Sequence, residues 1–230
     1  MRIHRIRGRF SYSYVLETED GLYLVDAGMY SQDRLILAKV TRLGRTPEDI
    51  RLAVVTHGHL DHFGGLVGVQ RQAAFDVGAH PEHVPVLSEG RFLVSPGRSA
   101  YGRTYSAFAR RFGPKLDIPP IEGVVGLADM QRLDEWGLDA TVLHTPGHSH
   151  GCVTVLLDDG SAFVGDLIQG RRIPGVTPIE LPNMAVDRGA ALASWGKLID
   201  AGARIIYPAH GGVMSRGELE ARLGRAKRPR

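Results

Sequence analysis

A chain of 230 residues, 43% of them hydrophobic, can bury a sizeable core and sits at the upper end of what one domain usually holds. Its single cysteine, Cys152, excludes an intramolecular disulfide and gives no reason to expect an oxidising compartment. A net charge of +3 is too small to imply nucleic acid, and no stretch approaches the ~20 apolar residues of a membrane span, so the sequence reads as cytoplasmic with no membrane partner.

The first predicted element is a hairpin. "SYSYVLETEDGLYLVDAG" alternates apolar and polar residues on both sides of a glycine turn at Glu19-Asp20-Gly21. Leu35, Ile36, Lys39 and Val40 then fall at helical spacing within 31–43, and Thr46-Pro47-Glu48-Asp49 has the form of a capped start of a short helix. "RLAVVTH" is a short apolar run ending in polar residues, which predicts a buried strand delivering a loop. Further strands are expected in "AAFDVGAH", "DATVLHTPGH", "CVTVLLDDGSAFVGD" and "ARIIYPAH", with helices at about 64–71, 100–112 and 188–201. Strands that alternate with helices, yet include hairpins, argue for sheets with helices packed outside, an α/β class.

Between Gly90 and Leu116 the cations Arg91, Arg98, Arg103, Arg110, Arg111 and Lys115 occur with no acid among them. Phe92, Tyr101, Tyr105, Phe108 and Phe112 are interleaved with these arginines. The expected organisation is one domain over 1–220, a lid-like insertion at 84–130 and a basic C-terminal tail at 221–230. The cations read as a solvated face and a frayed tail, with anion binding as the alternative.

The strongest chemical signal is "THGHLDH", Thr56 to His62. His57 and His59 are two apart, so in an extended loop both point the same way, and Asp61 and His62 follow at once. Four such donors in six residues suit a borderline-soft divalent metal. Downstream, His144, His148, His150, Cys152, Asp158, Asp159 and Asp166 crowd into one strand–turn–strand stretch, and spacing alone does not choose among them.

The sequence resembles the metallo-β-lactamase superfamily from about Tyr14 to Met214. The resemblance rests on "LVDAG" with Asp26, "THGHLDH", "TPGHSHG" with His148, "VGDL" with Asp166 and "YPAHGG" with His210, in the family's order. It implies a four-layer αβ/βα sandwich with a dinuclear site at one edge. On that resemblance His57, His59 and His148 are ligands of one metal, Asp61, His62 and His210 are ligands of the second, and Asp166 bridges them. Asp26 falls to a supporting role beside the ligands. His144, His150, Cys152, Asp158, Asp159, His4, His80 and His83 are left out of the ligand set.

Zinc is the default for five histidines and two aspartates, though iron, manganese or cobalt suit the same donors. A hydroxide held between two divalent ions about 3.5–4 Å apart is a nucleophile at neutral pH, so no serine or cysteine nucleophile is needed. Asp61 is the expected catalytic carboxylate, orienting the attacking hydroxide. A scaffold that had lost its site is excluded, because no ligand position is substituted.

The same fold hosts many chemistries, so the substrate must be argued from the walls of the site. Glyoxalase II-type thioesterases resemble the chain in every ligand, although the classical ones add a C-terminal helical domain and only 20 residues follow His210 here. Acyl-homoserine lactonases place a tyrosine three residues beyond the bridging aspartate, where this sequence has Gln169. The family's β-lactamases lack the bridging aspartate. Persulfide dioxygenases share the look of "GCVTV" but use a single iron and fewer ligands.

The expectation is a hydrolase of a small, anionic ester, thioester or lactone in the glyoxalase II-like or lactonase-like branch. Tyr101, Tyr105, Arg171 and Arg172 are its candidate substrate contacts. The alternative is a phosphodiesterase or nuclease-like hydrolase whose arginines meet phosphates. Against nucleic acid stands the lack of the extra domain found in the family's RNA-cleaving endonucleases.

Overall fold

The computed structural model describes residues 1–97, 100–113, 117–170, 179–181 and 184–226. Two sheets lie face to face. The first runs in the order β1 (Arg2–Arg7), β2 (Tyr12–Glu17), β3 (Leu22–Val25), β4 (Ile50–Val54), β5 (Asp76–Ala79) and β6 (Val124–Gly126). Its β1–β2–β3 part is antiparallel and the rest parallel. The predicted hairpin is the β2–β3 pair, closed by a bond from Thr18 N–H to Gly21 O.

The second sheet runs β13 (Met214–Ser215), β12 (Ile205–His210), β10 (Ser161–Gly170), β9 (Val153–Leu157), β8 (Leu138–His144) and β7 (Arg132–Leu133), with β11 (Ile179–Glu180) pairing β10. Helices α1 (Asp33–Arg42), α2 (Leu60–Phe63), α3 (Leu66–Gln70), α4 (Val84–Ser88) and α5 (Ala100–Phe112) fall between strands of the first sheet. Helices α6 (Arg188–Asp200) and α7 (Arg216–Ala226) belong to the second.

Side-chain alternation builds the layers. Tyr14, Leu16, Tyr23, Val25, Leu52 and Val54 point from the first sheet into one apolar layer, where they meet Ala140, Val142, Val153, Val155 and Phe163 of the second. Their sequence neighbours Val15, Leu24 and Ala53 point the other way, onto Ile36 and Val40 of α1 and Leu66 and Val69 of α3. Leu156, Ala162, Val164 and Ile206 pack outward on Trp195 and Leu198 of α6 and Leu219 and Leu223 of α7. The order is helices, sheet, sheet, helices, which is the αβ/βα sandwich. Each fully buried Leu, Phe or Val in these layers contributes about 1.5–3 kcal/mol.

Because both sheets are covered on both faces, β3, β4 and β9 are almost wholly buried, and hydrophobic alternation is blurred in the sequence. The predicted helix at 46–49 is a single 3-10 turn with Thr46 and Asp49 forming a capping box.

Within 84–130, α4 buries Leu87 in the first core and β6 is a strand of the first sheet, so both ends of that stretch belong to the sandwich itself. The basic run from 221 begins inside α7, whose Leu219 and Leu223 are buried; residues 227–230 lie outside the described residues. Among the described residues no helix is long and apolar enough to cross a membrane.

Candidate metal centre

The candidate ligands and Asp26 sit at the same edge of the sandwich: Asp26 just after β3, His57 and His59 on the loop after β4, Asp61 and His62 in α2, His148 on the turn after β8, Asp166 in an irregular part of β10 and His210 at the end of β12. Strand β4 carries the chain to Thr56, and the next six residues, through His62, turn into α2. Strand β8 ends at His144, and the Thr145–His148 turn is held from outside by α6. Ser194 Oγ donates to Pro146 O at 2.8 Å, and Asp187 N–H donates to Gly147 O at 3.0 Å. A side chain at Gly147 would lie 2.5 Å from Ala191, so only glycine lets the turn reach the helix. Asp166 lies where the β10–β12 register slips on both sides of Gly165, and Trp195 Nε1 donates to Leu167 O at 3.1 Å just after it.

The donor atoms converge in two groups. His148 Nε2 lies 3.1 Å from His57 Nε2 and 2.9 Å from His59 Nδ1. His210 Nε2 lies 3.6 Å from Asp61 Oδ2, and His62 Nε2 lies 3.9 Å from the same oxygen. Between the groups stands Asp166. Its Oδ2 is 3.6 Å from His148 Nε2, while its Oδ1 is 3.3 Å from His62 Nε2 and 3.1 Å from His210 Nε2. One carboxylate thus faces both groups, one oxygen to each.

Neighbouring groups fix which ring nitrogen is bare. His148 Nδ1 donates to Met184 O at 2.6 Å, leaving Nε2 as a lone pair. Asp26 accepts from Thr56 N–H at 2.8 Å, from Thr56 Oγ1 at 2.9 Å and from His62 Nδ1 at 2.7 Å. Since the Thr56 hydroxyl hydrogen goes to Asp26, its oxygen can accept from His57 Nδ1, 3.2 Å away. The Nε2 atoms of His57 and His62 therefore point into the centre. At His59 the opposite nitrogen points inward, because Nε2 faces Ser95 N and Oγ at 3.2 and 3.1 Å.

The electrostatics divide the same way. Burial holds His57 and His59 well below the usual imidazole range, and His148 below it too, so all three are neutral donors. Burial opposes charge on His62 and His210 as well, but Asp26, Asp61 and Asp166 outweigh it at His62 and Asp166 and Asp61 at His210, and both are raised. Burial would raise Asp166, yet His210 and His62 hold it well below the usual carboxylate range.

These residues fit two divalent cations. Three imidazole nitrogens that turn their lone pairs toward one another at 2.9–3.1 Å repel unless a proton or a metal cation lies among them. A tetrahedral ion at the usual 2.0–2.1 Å from nitrogen needs them about 3.3–3.4 Å apart, which a small opening supplies. Among the described residues, buried His62 Nε2 and Asp166 Oδ1 make no hydrogen bond; His62 belongs to the candidate groups His57-His62-Asp166 and Asp61-His62-His210, and Asp166 to the first of these. The chemistry of the set, nitrogens and carboxylate oxygens with no thiolate, suits zinc and equally iron, manganese or cobalt.

Every residue of the expected ligand set, with Asp26, is thus brought to one place. Tyr101 and Tyr105 lie on α5, but their side chains are outside the described residues, as are Arg171 and Arg172. His144 ends β8 and donates from Nε2 to His150 O at 2.7 Å, and Cys152 is buried against Ser149. The sequence reading missed Thr56, Ser95 and Met184. Thr56 was findable, standing directly before His57; Ser95 and Met184 reach the centre only through tertiary structure.

A model of the metallo-β-lactamase superfamily matches residues 6–210. A probable metallo-hydrolase of Mycobacterium tuberculosis is 27% identical over 81% of this chain and 68% of its own length. An atrochrysone carboxyl ACP thioesterase of Aspergillus chevalieri is 29% identical over 71% of this chain but only 39% of its own length. The crystal structure of an archaeal metallo-β-lactamase superfamily protein from Sulfolobus tokodaii superposes with a TM-score of 0.68 at 20% identity, covering 99% of this chain and 87% of that one. With the family's pattern running through nearly the whole chain and two candidate metal clusters at its sheet edge, the protein is a metal-dependent hydrolase that belongs to the metallo-β-lactamase superfamily.

Proposed function

We propose that the chain hydrolyses a small ester, thioester or lactone at a dinuclear centre in which His57, His59 and His148 hold one divalent ion, Asp61, His62 and His210 hold the other, and Asp166 bridges. The observation that carries the dinuclear reading is Asp166, with one oxygen toward His148 and the other toward His62 and His210. When bound, the two ions supply Lewis acidity toward the scissile oxygen and make water acidic enough to attack at neutral pH.

The residues divide the remaining work. Asp166 is buried and committed to the two groups, so it positions. Asp61 is half-open to solvent beside His210, which leaves it the carboxylate that can hold a proton of the attacking water. No side-chain nucleophile is required. Cys152 is unsuited to that role because burial pushes its thiol up to about 11.

An acyl substrate is favoured by the walls. Ser11 Oγ donates to the backbone oxygen of Asp61, which ties the segment carrying exposed Phe10, with Arg9 5.3 Å from its ring, to the loop of ligands. On the other side Leu93 N–H bonds Gly58 O at 2.7 Å, between the two ligand histidines of the loop. Apolar and cationic side chains beside the loop of ligands would suit an acyl group bearing a negative charge, and the similarity to a fungal thioesterase supports the thioester form of this reading. Tyr101, Tyr105, Arg171 and Arg172 remain candidate substrate contacts. The run of arginines without acids from Arg91 to Arg111 favours the second reading, a phosphodiester substrate.

The test runs the zinc- or manganese-loaded protein on a lactone, a thioester and a chromogenic phosphodiester, each with a chelated control. Chelator-sensitive turnover of the lactone or thioester alone supports the acyl reading. Turnover of the phosphodiester alone, weakening steeply with salt, replaces it with the second.

A further inference from the structure

We propose that Ser95 is a positioning residue that sets metal affinity at the His57-His59-His148 position and ties that position to helix α5. The inference rests on the reading that these three histidines hold an ion.

The argument is one of donors and acceptors. His59 turns Nδ1 toward His148 Nε2, 2.9 Å away, so Nδ1 is its ligating atom. A neutral imidazole ligating through Nδ1 carries its proton on Nε2, and that N–H, buried here, needs an acceptor. Two atoms of Ser95 lie within reach of Nε2, the backbone nitrogen at 3.2 Å and Oγ at 3.1 Å. The backbone N–H can only donate. The hydrogen of Oγ is committed to His148 O at 2.8 Å, a carbonyl that cannot donate in return, so toward His59 this oxygen can only accept. Ser95 Oγ is therefore the group that selects the His59 tautomer with a bare Nδ1, while the adjacent backbone N–H favours the opposite one.

Ser95 is in turn held from α5. Ser106 Oγ donates to Ser95 O at 2.8 Å, and both serines are buried. Beyond Ser95 the strand-like segment bonds the stretch that orients His148. Gly97 bridges Met184, Ala185 N–H donates to Pro96 O at 3.2 Å, and Met184 O receives His148 Nδ1. Two of the three histidines are thus oriented by one hydrogen-bonded strap that ends on α5. A shift of α5 that moves Ser95 by a few tenths of an ångström trades the Oγ contact against the N–H contact, and so changes the affinity of the position.

The experiment titrates Zn²⁺ into the chelator-stripped full chain against a competing chromogenic chelator. It compares the unchanged protein with Ser95→Ala, Ser95→Thr and Ser106→Ala, and thermal unfolding of each stripped form checks the fold. The unchanged protein is expected to hold two ions. Ser95→Ala should weaken one of them by about tenfold to a hundredfold, Ser95→Thr should restore most of the affinity, and Ser106→Ala should fall between. If Ser95→Ala fails to fold, Ser106→Ala decides. Two ions held with full affinity by the alanine variants would overturn the role of Ser95 and leave the ligand assignment standing. Equal weakening in Ser95→Thr would trace the effect to packing and overturn it too. No ion held by the unchanged protein would overturn both readings.

Discussion

Asp26 Oδ2 lies 2.7 Å from His62 Nδ1, and Asp26 holds that contact from a left-handed backbone conformation with φ 56°. The partners of its carboxylate among the described residues, Thr56 N–H, Thr56 Oγ1 and His62 Nδ1, are donors. Asp26→Asn keeps the shape and tolerates the positive φ, but its amide nitrogen must oppose one of those donors. The cost is about 1–3 kcal/mol of stability for the opposed buried group. Affinity at the Asp61-His62-His210 position should fall about tenfold to a hundredfold, because His62 loses its orientation. Calorimetric titration of zinc should show two strong sites in the unchanged protein and one in the variant; two unchanged sites would show that His62 is oriented without Asp26.

The ligand assignment predicts a contrast between neighbouring residues of the same type. His59→Ala and Asp61→Ala should each lose bound metal, whereas His144→Ala and His83→Ala should keep it. His144 spends its Nε2 on His150 O and stacks its ring 4.3 Å from His80, away from the convergent atoms. Elemental analysis of the purified variants checks this. Equal loss in all four would overturn the division.

How much of this was legible in the sequence follows from what is local. His57, His59, Asp61 and His62 lie within six residues that run from the loop after β4 into α2, so their convergence depends on a single turn. Helix 100–112 was readable because its spacing is regular, and α5 spans those residues. Strand β1 was not read, since Arg2–Arg7 at a sheet edge carries four exposed or half-buried polar residues and few apolar ones. Helix α7 was hidden by its charges, with only Leu219 and Leu223 marking the buried face. Ser95 and Met184 carry no local signal. Their hydrogen bonds to His59 and His148 span 36 residues each, and only the folded strap creates them.

Gly165, directly before Asp166, gives the third prediction. It sits at φ 52°, and a Cβ there would lie 2.3 Å from Thr56 Oγ1, the atom that bonds Asp26. Gly165→Ala meets a left-handed backbone costing about 1–2 kcal/mol and must also push Thr56 aside. A loss exceeding about 2 kcal/mol in urea unfolding is expected, with weakened metal binding because Thr56 and Asp166 move together. Gly196, in the middle of α6 with no atom within 4 Å of its would-be Cβ, is the control. Gly196→Ala should stabilise by roughly 0.5–1 kcal/mol and leave metal binding unchanged. If both variants lose stability alike, the strain at Gly165 is not special.

His83 gives the chain a defined acid sensitivity outside the ligand set. Its ring is buried, and burial first, then the neighbouring His80 and His144, push its pKa down to about 4. In the unfolded chain the same imidazole titrates near 6.5. The folded value is the lower one, so the unfolded state binds more protons between the two. The stabilising contribution is therefore complete above pH ~6.5 and is lost as pH falls toward ~4. Between pH 7.5 and pH 5 it amounts to about 2 kcal/mol. His83→Gln removes the titration, and any packing change it brings is the same at both pH values. Urea unfolding of the chelator-stripped chain and of His83→Gln at pH 7.5 and 5 should show the unchanged protein losing about 2 kcal/mol more than the variant. Parallel losses in the two would mean that His83 carries its proton in the folded state, against its burial beside two other imidazoles.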